Sequence, residues 1–598
     1  MKSLSLSLLL ALLLVHLAPA KVAAQERYLT GITLRNLWIF PVPGGDLWRT
    51  DGTAEGTFRL APSCSADVWC GPIRGRAGGR VFFQVEVPEL YQPDGPRYQL
   101  WATDGSRRGT WQLTTFQGGL DRASWPIRNY LPVPELGLFF FRGSTPATGE
   151  ELWVSDGTPA GTRLVADLAP GPANGLGQFL GVAGGHVLFE GITPRRGAEP
   201  WKTDGTAAGT RLLRDFVPGP GSSEPRGLTT LNGRIFLSFD AKELSRQLWL
   251  SDGTAAGTHH LNTLDPPAYP EVSIGWDRGA TTESQAFLLA RDSLVRSDGS
   301  PEGTYLLGSP PAVGLIPFGD SLLFYGWDSE HGRELWITDG TPAGTHMVAD
   351  LDPGPYSSEV LTLLTAGPLA YILLDWHMDV GGYVTDGTPE GTRHFFRFLI
   401  SYYYTPSLAR GPDDRVFFEV WRGDELWVTP ALGGPPGSTT RLLEASPLRS
   451  VTPLNYAITG SALGDVFLFV VRDPENGVAL WRSDATPAGT YLVAVISPPE
   501  LPGPVAHLTA TPLGAGTGQV TLAWSPAERA QNYEIRGDSP DPAERWATHT
   551  DLPEEAHRVA GLEPGLPYVF RIRAWNEYGP GPWTETAATP LPAIITPC

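Results

Sequence analysis

The chain has 598 residues, 41% of them hydrophobic and 10% aromatic, with a formal charge of −20. That length exceeds what one ordinary core supports, so several domains or one large repeat array is expected. The acidic balance argues against non-specific attachment to nucleic acid or an anionic membrane, because both need a basic surface.

In chain order, the first element is a leader. Lys2 precedes an apolar run from Leu4 to Leu17, followed by small residues. The run is short for a membrane helix, so a cleaved signal peptide over residues 1–24 is expected, with Val22-Ala23-Ala24 before Gln25 as the cleavage site and Ala18-Pro19-Ala20 as the competitor. Export makes disulfides permissible. Cys64 and Cys70 are close in a turn-prone stretch and are expected to pair, closing a small loop for modest stabilisation. Cys598 is left over, as a free thiol or an intermolecular link. No His clusters with these cysteines, so no zinc cage is expected.

The main signal is repetition. A twelve-residue signature returns about every 48 residues. It is cleanest at residues 151–162 (ELWVSDGTPAGT) and 334–345 (ELWITDGTPAGT), with close copies at 46–57, 99–110, 199–210 and 247–258. Weaker copies start at Ser293, Gly381 and Ala479, and Glu425 opens a fragment that keeps only ELWVT. That makes ten units. The aspartates are Asp51, Asp104, Asp156, Asp204, Asp252, Asp298, Asp339, Asp386 and Asp484. Gly and Pro, abundant enough to suggest disorder, recur at fixed places between apolar runs and so read as turns.

One unit shows why the array should be all-β. Thr229-Thr230-Leu231 leads into Asn232-Gly233, a strong two-residue turn signal, and residues 234–239 form an apolar strand. Residues 247–251 carry the signature strand, Asp252 to Thr258 turn the chain, and residues 259–264 return. Four short strands per unit, repeated at this period, predict a β-propeller-like array of about ten four-stranded blades over residues 25–498. Residues 27–32 resemble 226–231 and are expected to complete the last blade, closing the array without an open edge. Ten blades exceed the usual four to eight, so two stacked rings of about five stay open as a second arrangement and an open solenoid as a third.

The signature residues have structural work to do. The tryptophans Trp48, Trp101, Trp153, Trp201, Trp249, Trp336, Trp427 and Trp481 are expected to fill the wedge between neighbouring sheets, with Tyr383 and Val295 in that place in two units. Asp-Gly is a turn pair, the carboxylate accepting backbone N–H bonds while Gly takes positive φ. The pattern resembles the bacterial ELWxxDGT repeat, a secreted family named for these residues; the resemblance implies export and a repeat scaffold, and no chemistry.

A Pro-rich linker at 499–504 precedes a second module at 505–592 and a tail at 593–598. Trp524 in a Val-Thr-Leu-Ala-Trp strand, Tyr533 in the next strand, and Leu562 six residues before Tyr568 resemble the core of a fibronectin type III domain.

Three motifs could carry chemistry. Gly319-Asp320-Ser321-Leu322 spells a lipase nucleophile motif, but it sits where other units place a turn, without an α/β context. Arg536-Gly537-Asp538-Ser539-Pro540 matches an integrin-recognition peptide and is read as chance composition. Asp156, Asp204, Asp252 and Asp339, with the acidic loops at 215–219 and 350–354, are weak calcium candidates; each turn offers one carboxylate where calcium needs six to eight oxygens. No other cofactor is indicated. The expected protein is an exported, monomeric, non-catalytic binder of an extracellular polysaccharide or protein, without membrane insertion. Alternatives are a glycan hydrolase or lyase with carboxylates at the propeller centre, and a purely structural envelope or matrix component.

Overall fold

The computed structural model describes residues 31–592 except 43–45, 61–69, 93–94, 116–129, 242–243, 245–246, 265–275, 291–292, 309, 356, 358, 377–378, 400–407, 421–424, 431–438, 444–458, 474–476, 498–501, 531, 539–545, 551–555 and 577–578. The leader and Cys64 lie outside the described residues, and so does Cys598. Two compact units divide the chain: Met1–Phe418 with Trp427–Arg441 and Ala457–Leu468, and Glu419–Leu426 with Leu442–Tyr456 and Phe469–Cys598.

Among the described residues, ten four-stranded sheets follow one another between Ile32 and Ser497, each made of four consecutive strands paired in order. In the fifth sheet these are Pro225–Leu231, Arg234–Phe239, Gln247–Ser251 and His259–Thr263, all antiparallel. Asn232 and Gly233 between its first two strands both take positive φ, 51° and 73°. That mirror-image turn matches the right-handed twist of the strands it joins.

Among the described residues no strand is exchanged between the chain ends, and residues 27–30 of the expected strand lie outside them. Ile32–Leu34 pairs with Leu37–Pro41 inside the first sheet, and the tenth sheet is complete from Thr459–Leu463, Val466–Asp473, Gly477–Ser483 and Tyr491–Ser497. Arg35, at φ 57°, turns the chain back at once, and closing that short hairpin costs far less entropy than recruiting a partner from the far end. The end sheets still touch within the first unit: Thr33 Oγ1 and Ser461 Oγ are 2.8 Å apart.

The core lies between sheets. In the second sheet Phe82 packs with Phe139 and Phe141 of the third, while Phe83 packs with Leu34, Ile39 and Leu47 of the first. In the seventh, Leu322 and Phe324 face Phe287 and Leu289 of the sixth, and Leu323 faces Ala370 and Ile372 of the eighth. Successive residues on a strand point to opposite faces. Here both faces are buried, which is why these strands are uninterrupted apolar runs. Each such side chain contributes about 1.5–3 kcal/mol by leaving water.

The second unit carries a β-sandwich. One sheet is Ala506–Leu513, Gln519–Ser525 and Ala556–Val559; the other joins Trp546–Thr550, Asn532–Asp538, Tyr568–Asn576 and Gly579–Pro580, with Thr584–Ala588 also on Tyr568–Asn576. Along Gln519–Ser525 only Val520, Leu522 and Trp524 are buried, the alternation of a strand with one face in a core.

Candidate functional site

An antiparallel meander places its first and third turns at one end of each sheet; its second turn, and the link to the next sheet, lie at the other. The two ends are built differently.

The Asp-Gly-Thr end is closed on itself. In the fifth sheet Asp252 Oδ1 accepts the Thr254 amide (2.8 Å) and hydroxyl (2.7 Å). Thr254 Oγ1 accepts the Gly257 amide at 2.9 Å, and the Thr258 hydroxyl donates to Thr254 O at 2.6 Å. Ser251 Oγ accepts the Gly253 amide at 3.1 Å and lies 2.7 Å from Thr258 Oγ1. The Asp–hydroxyl bond recurs at Asp51, Asp104, Asp156, Asp204, Asp298, Asp339, Asp386 and Asp484. Ser106 and Ser300 replace threonine in two copies, because the turn uses the hydroxyl and not the methyl. The first glycine takes φ 83° at Gly253. The second is required sterically: a Cβ on Gly257 would lie 2.1 Å from the Asp252 carboxylate. At Asp204 the Thr206 hydroxyl, then its amide, hold the carboxyl below its ordinary value.

Each calcium candidate has one carboxylate oxygen committed to its own turn. Asp156, Asp204, Asp252 and Asp339 belong to four sheets, and each spends Oδ1 on its own turn. Among the described residues, no group of three or more His, Cys, Asp or Glu could hold a metal ion. Asp215, from one of the acidic loops, pairs with Arg196.

Sequence reasoning missed the staples between these turns. The carbonyl of the first turn glycine accepts a donor from the preceding sheet: Arg49 Nη1 to Gly105 O (3.2 Å), Arg163 Nη2 to Gly205 O (2.7 Å), Lys202 Nζ to Gly253 O (3.0 Å) and the Tyr305 hydroxyl to Gly340 O (2.7 Å). Arg49 and Lys202 directly follow the signature tryptophan, and that position was the available signal.

Five of the eight signature tryptophans sit at interfaces between sheets. Trp101, Trp153, Trp201, Trp249 and Trp336 each join the apolar cluster shared with the preceding sheet, as do Tyr383 and Val295 in their units. Trp48 lies opposite Phe40, Trp427 is 6.5 Å from Phe418 between ring centroids, and Trp481 lies opposite Leu492.

The other end carries the links between sheets, and here the opening glutamate of the signature has a use that its sequence position did not show. Glu151, Glu199 and Glu334 have no solvent exposure. Glu151 accepts the amides of Leu168 (3.0 Å) and Ala169 (3.2 Å); Glu199 accepts those of Phe216 (3.0 Å) and Val217 (3.1 Å) and the Ser223 hydroxyl (2.8 Å). Glu334 accepts the Leu351 amide at 2.7 Å. The partner loops share a pattern, DLAPGP at 167–172, DFVPGP at 215–220 and DLDPGP at 350–355. Their prolines are exposed at Pro170, Pro172, Pro218, Pro220, Pro353 and Pro355, so each glutamate holds a stiff tip in water from beneath. Burial pushes the Glu151 carboxyl up to about 7.

The two motifs read as bland are structural. Gly319 (φ 58°) and Asp320 form the turn before Ser321–Asp328, and Asp320 accepts the Ser284 and Thr282 hydroxyls. Arg536, Gly537 and Asp538 end the strand Asn532–Asp538, paired on one side with Tyr568–Asn576, and Arg536 and Gly537 pair on the other side with Ala547 and Trp546. Among the described residues, the exposed large aromatics are single residues on different sheets: Trp111 on the second, Trp327 on the seventh, Tyr491 on the tenth.

In the sandwich, Trp524, Tyr533, Leu562 and Tyr568 are all buried in one core. The Tyr568 hydroxyl accepts the Glu563 amide at 3.0 Å, and the Tyr533 hydroxyl accepts that of Ala527 at 3.0 Å. Outside that core, Glu534 is 3% exposed and accepts from Arg573 Nε (2.7 Å), Arg536 Nε (2.8 Å) and Trp575 Nε1 (3.0 Å). Burial alone would raise its carboxyl; the bonds from Arg573, Arg536 and Trp575 outweigh burial and hold it below the ordinary value. Trp583 lies between the two guanidinium groups, 4.3 Å from Arg573 and 5.0 Å from Arg536.

A tyrosine tied to backbone five residues upstream, over a tryptophan-centred core, is the corner of one sandwich class. Residues 503–589 match the fibronectin type III domain. Human neural cell adhesion molecule L1 is 36% identical over 123 residues, 19% of this chain and 10% of that protein. The rat L1 protein is 36% identical over 99 residues, 15% of this chain and 8% of that protein, and a titin homolog of Caenorhabditis elegans is 36% identical over 81 residues. The chain thus spans about a tenth of the length of its L1 relatives. Among solved structures, the FN5 domain of Drosophila Lar is 23% identical and covers 15% of this chain and 98% of its own, with a TM-score of 0.14.

Proposed function

We propose that this protein is an exported, non-catalytic binding protein that engages a protein partner outside the cell or at its surface. The observation that carries this reading is the fibronectin type III match at residues 503–589, joined to a ten-sheet repeat scaffold. The likeness of part of the chain to L1, a cell adhesion molecule by name, supports an adhesive role and a protein partner over a polysaccharide. We read the repeats as ELWxxDGT-type units closed into a single propeller. The stacking of successive sheets and the 2.8 Å contact between Thr33 and Ser461 support closure. Loops at the end opposite the Asp-Gly-Thr turns would form the binding face, since loops on a rigid scaffold carry recognition.

The test is binding of purified residues 25–598 to an array of extracellular proteins and a glycan panel, with released reducing ends assayed in the same wells. The expected result is saturable binding to a protein with no reducing ends released. Cleavage of any glycan would overturn the non-catalytic reading. Binding to glycans alone would overturn the protein partner, and silence on both would leave a structural role.

A further inference from the structure

The buried glutamates at the link end have a property their packing does not require. Both oxygens of Glu151 and Glu199 are spent on amides or a hydroxyl of the loop that follows, and neither carboxylate forms an ion pair among the described residues. Acidic groups act on both: Asp167 raises Glu151 and Asp215 raises Glu199, the latter itself held by Arg196. The loops return tightly over them. A Cβ on Gly175 would lie 2.2 Å from Glu151 Oε1, and in the next unit Ser223 closes over Glu199 with a hydrogen bond.

We propose that Glu151 and Glu199 are proton-coupled latches: closing the loops at 167–175 and 215–223 over them takes up a proton, so both loops hold tighter in mild acid than in mild alkali. A carboxylate buried without a cation favours its neutral form. Burial accordingly raises both groups, Glu151 to about 7 against the pull of the Leu168 and Ala169 amides, with Asp167 adding to the rise. Opening a loop admits water and returns the carboxyl toward 4.5, its ordinary value. The closed loop therefore binds more protons than the open one between about 4.5 and about 7. Linkage then makes closure more favourable as pH falls through that window, by up to roughly a hundredfold in the opening equilibrium.

The molecule contains its own control. Gln99 holds the same signature position in the second sheet, buried, and accepts the Thr114 hydroxyl at 2.7 Å while Thr114 Oγ1 accepts the Leu100 amide at 2.9 Å. Gln99 thus fastens its own neighbourhood through a hydroxyl, with a neutral side chain that has no proton to exchange.

Hydrogen exchange of residues 25–598 from pH 5 to pH 8, corrected for the intrinsic rate, tests the proposal. Protection of residues 163–176 and 211–224 should rise toward pH 5, while residues 110–115 stay level. In Glu151→Gln the first segment should lose its pH dependence and the second keep it. An unchanged slope in Glu151→Gln, or one that rises toward pH 8, would overturn the proposal. Should that variant not fold, the wild-type comparison decides: parallel slopes at 163–176 and 110–115 overturn the latch, and diverging slopes support it.

Discussion

The repeat sheets and the C-terminal sandwich are both antiparallel, yet they bury their strands differently. In the sixth sheet every residue of Ala286–Ala290 is buried; in the sandwich only alternate residues of Gln519–Ser525 are. A stack of sheets covers both faces of each member, so its polar residues retreat to the turns. A two-sheet sandwich leaves one face of each sheet in water and can place a charged network there, as around Glu534. The period of hydrophobicity along a strand thus reports how many neighbours its sheet has.

The largest effects should separate these two cases. Leu322→Ala and Leu323→Ala, adjacent and facing opposite neighbours, should each cost about 2–5 kcal/mol in denaturant unfolding. In the sandwich, Trp524→Ala should cost about 3–5 kcal/mol, whereas Thr521→Ala, on the outer side of the same strand, should stay within about 0.5 kcal/mol. A near-neutral Leu323→Ala would break the claim that both faces of the repeat sheets are buried.

The pH response should sharpen the contrast. Glu151 is raised in the folded chain, so its contribution to stability is fully present below about 4.5 and is lost as pH climbs to about 7. Glu534 is lowered, so its contribution is present above the ordinary glutamate value of 4.5 and is lost as pH falls below it. Thermal unfolding followed from pH 4 to pH 8 should show the repeat transition falling as pH rises through the neutral range. The sandwich transition should be level there and weaken only in acid, and Glu534→Gln should flatten that acid limb.

A smaller effect probes the hairpins. Gly257→Ala pushes a methyl into the Asp252 carboxylate and should cost about 1–2 kcal/mol. A neutral result in the same denaturant assay would show that the turn can open without loss.

How much was legible followed from the sequence distance over which each interaction closes. The Asp252 turn was readable because all its partners lie between Ser251 and Thr258. The Tyr568 corner was readable for the same reason, its acceptor role ending at Glu563. The ten sheets were readable from the repeat period. Glu199 was not, because two of its partners are backbone amides 17 and 18 residues onward, which carry no side-chain signature, and the third, the Ser223 hydroxyl, lies 24 residues away; the recurring Asp-x-x-Pro-Gly-Pro was the trace available. The pairing of Glu534 with Arg573 spans 39 residues and two strands, so only the folded sandwich reveals it. Pairing at the start of the first sheet was hard to read for the opposite reason: residues 27–32 looked like 226–231, but Arg35-Asn36 forms a local turn, pairing Ile32 with Ile39, that no Asn-Gly pair announces.

The signature aspartates lock their own hairpins, and we propose that they do so without an ion. The most direct measurement is thermal unfolding of residues 25–598 in calcium and in EDTA, with and without Asp252→Asn and Asp339→Asn together. Asparagine keeps the Oδ1 acceptor that Thr254 and Thr341 use, so the account predicts the same midpoint in both buffers and a loss within about 0.5 kcal/mol per substitution. A midpoint that drops in EDTA, and a double variant that no longer responds to calcium, would contradict it.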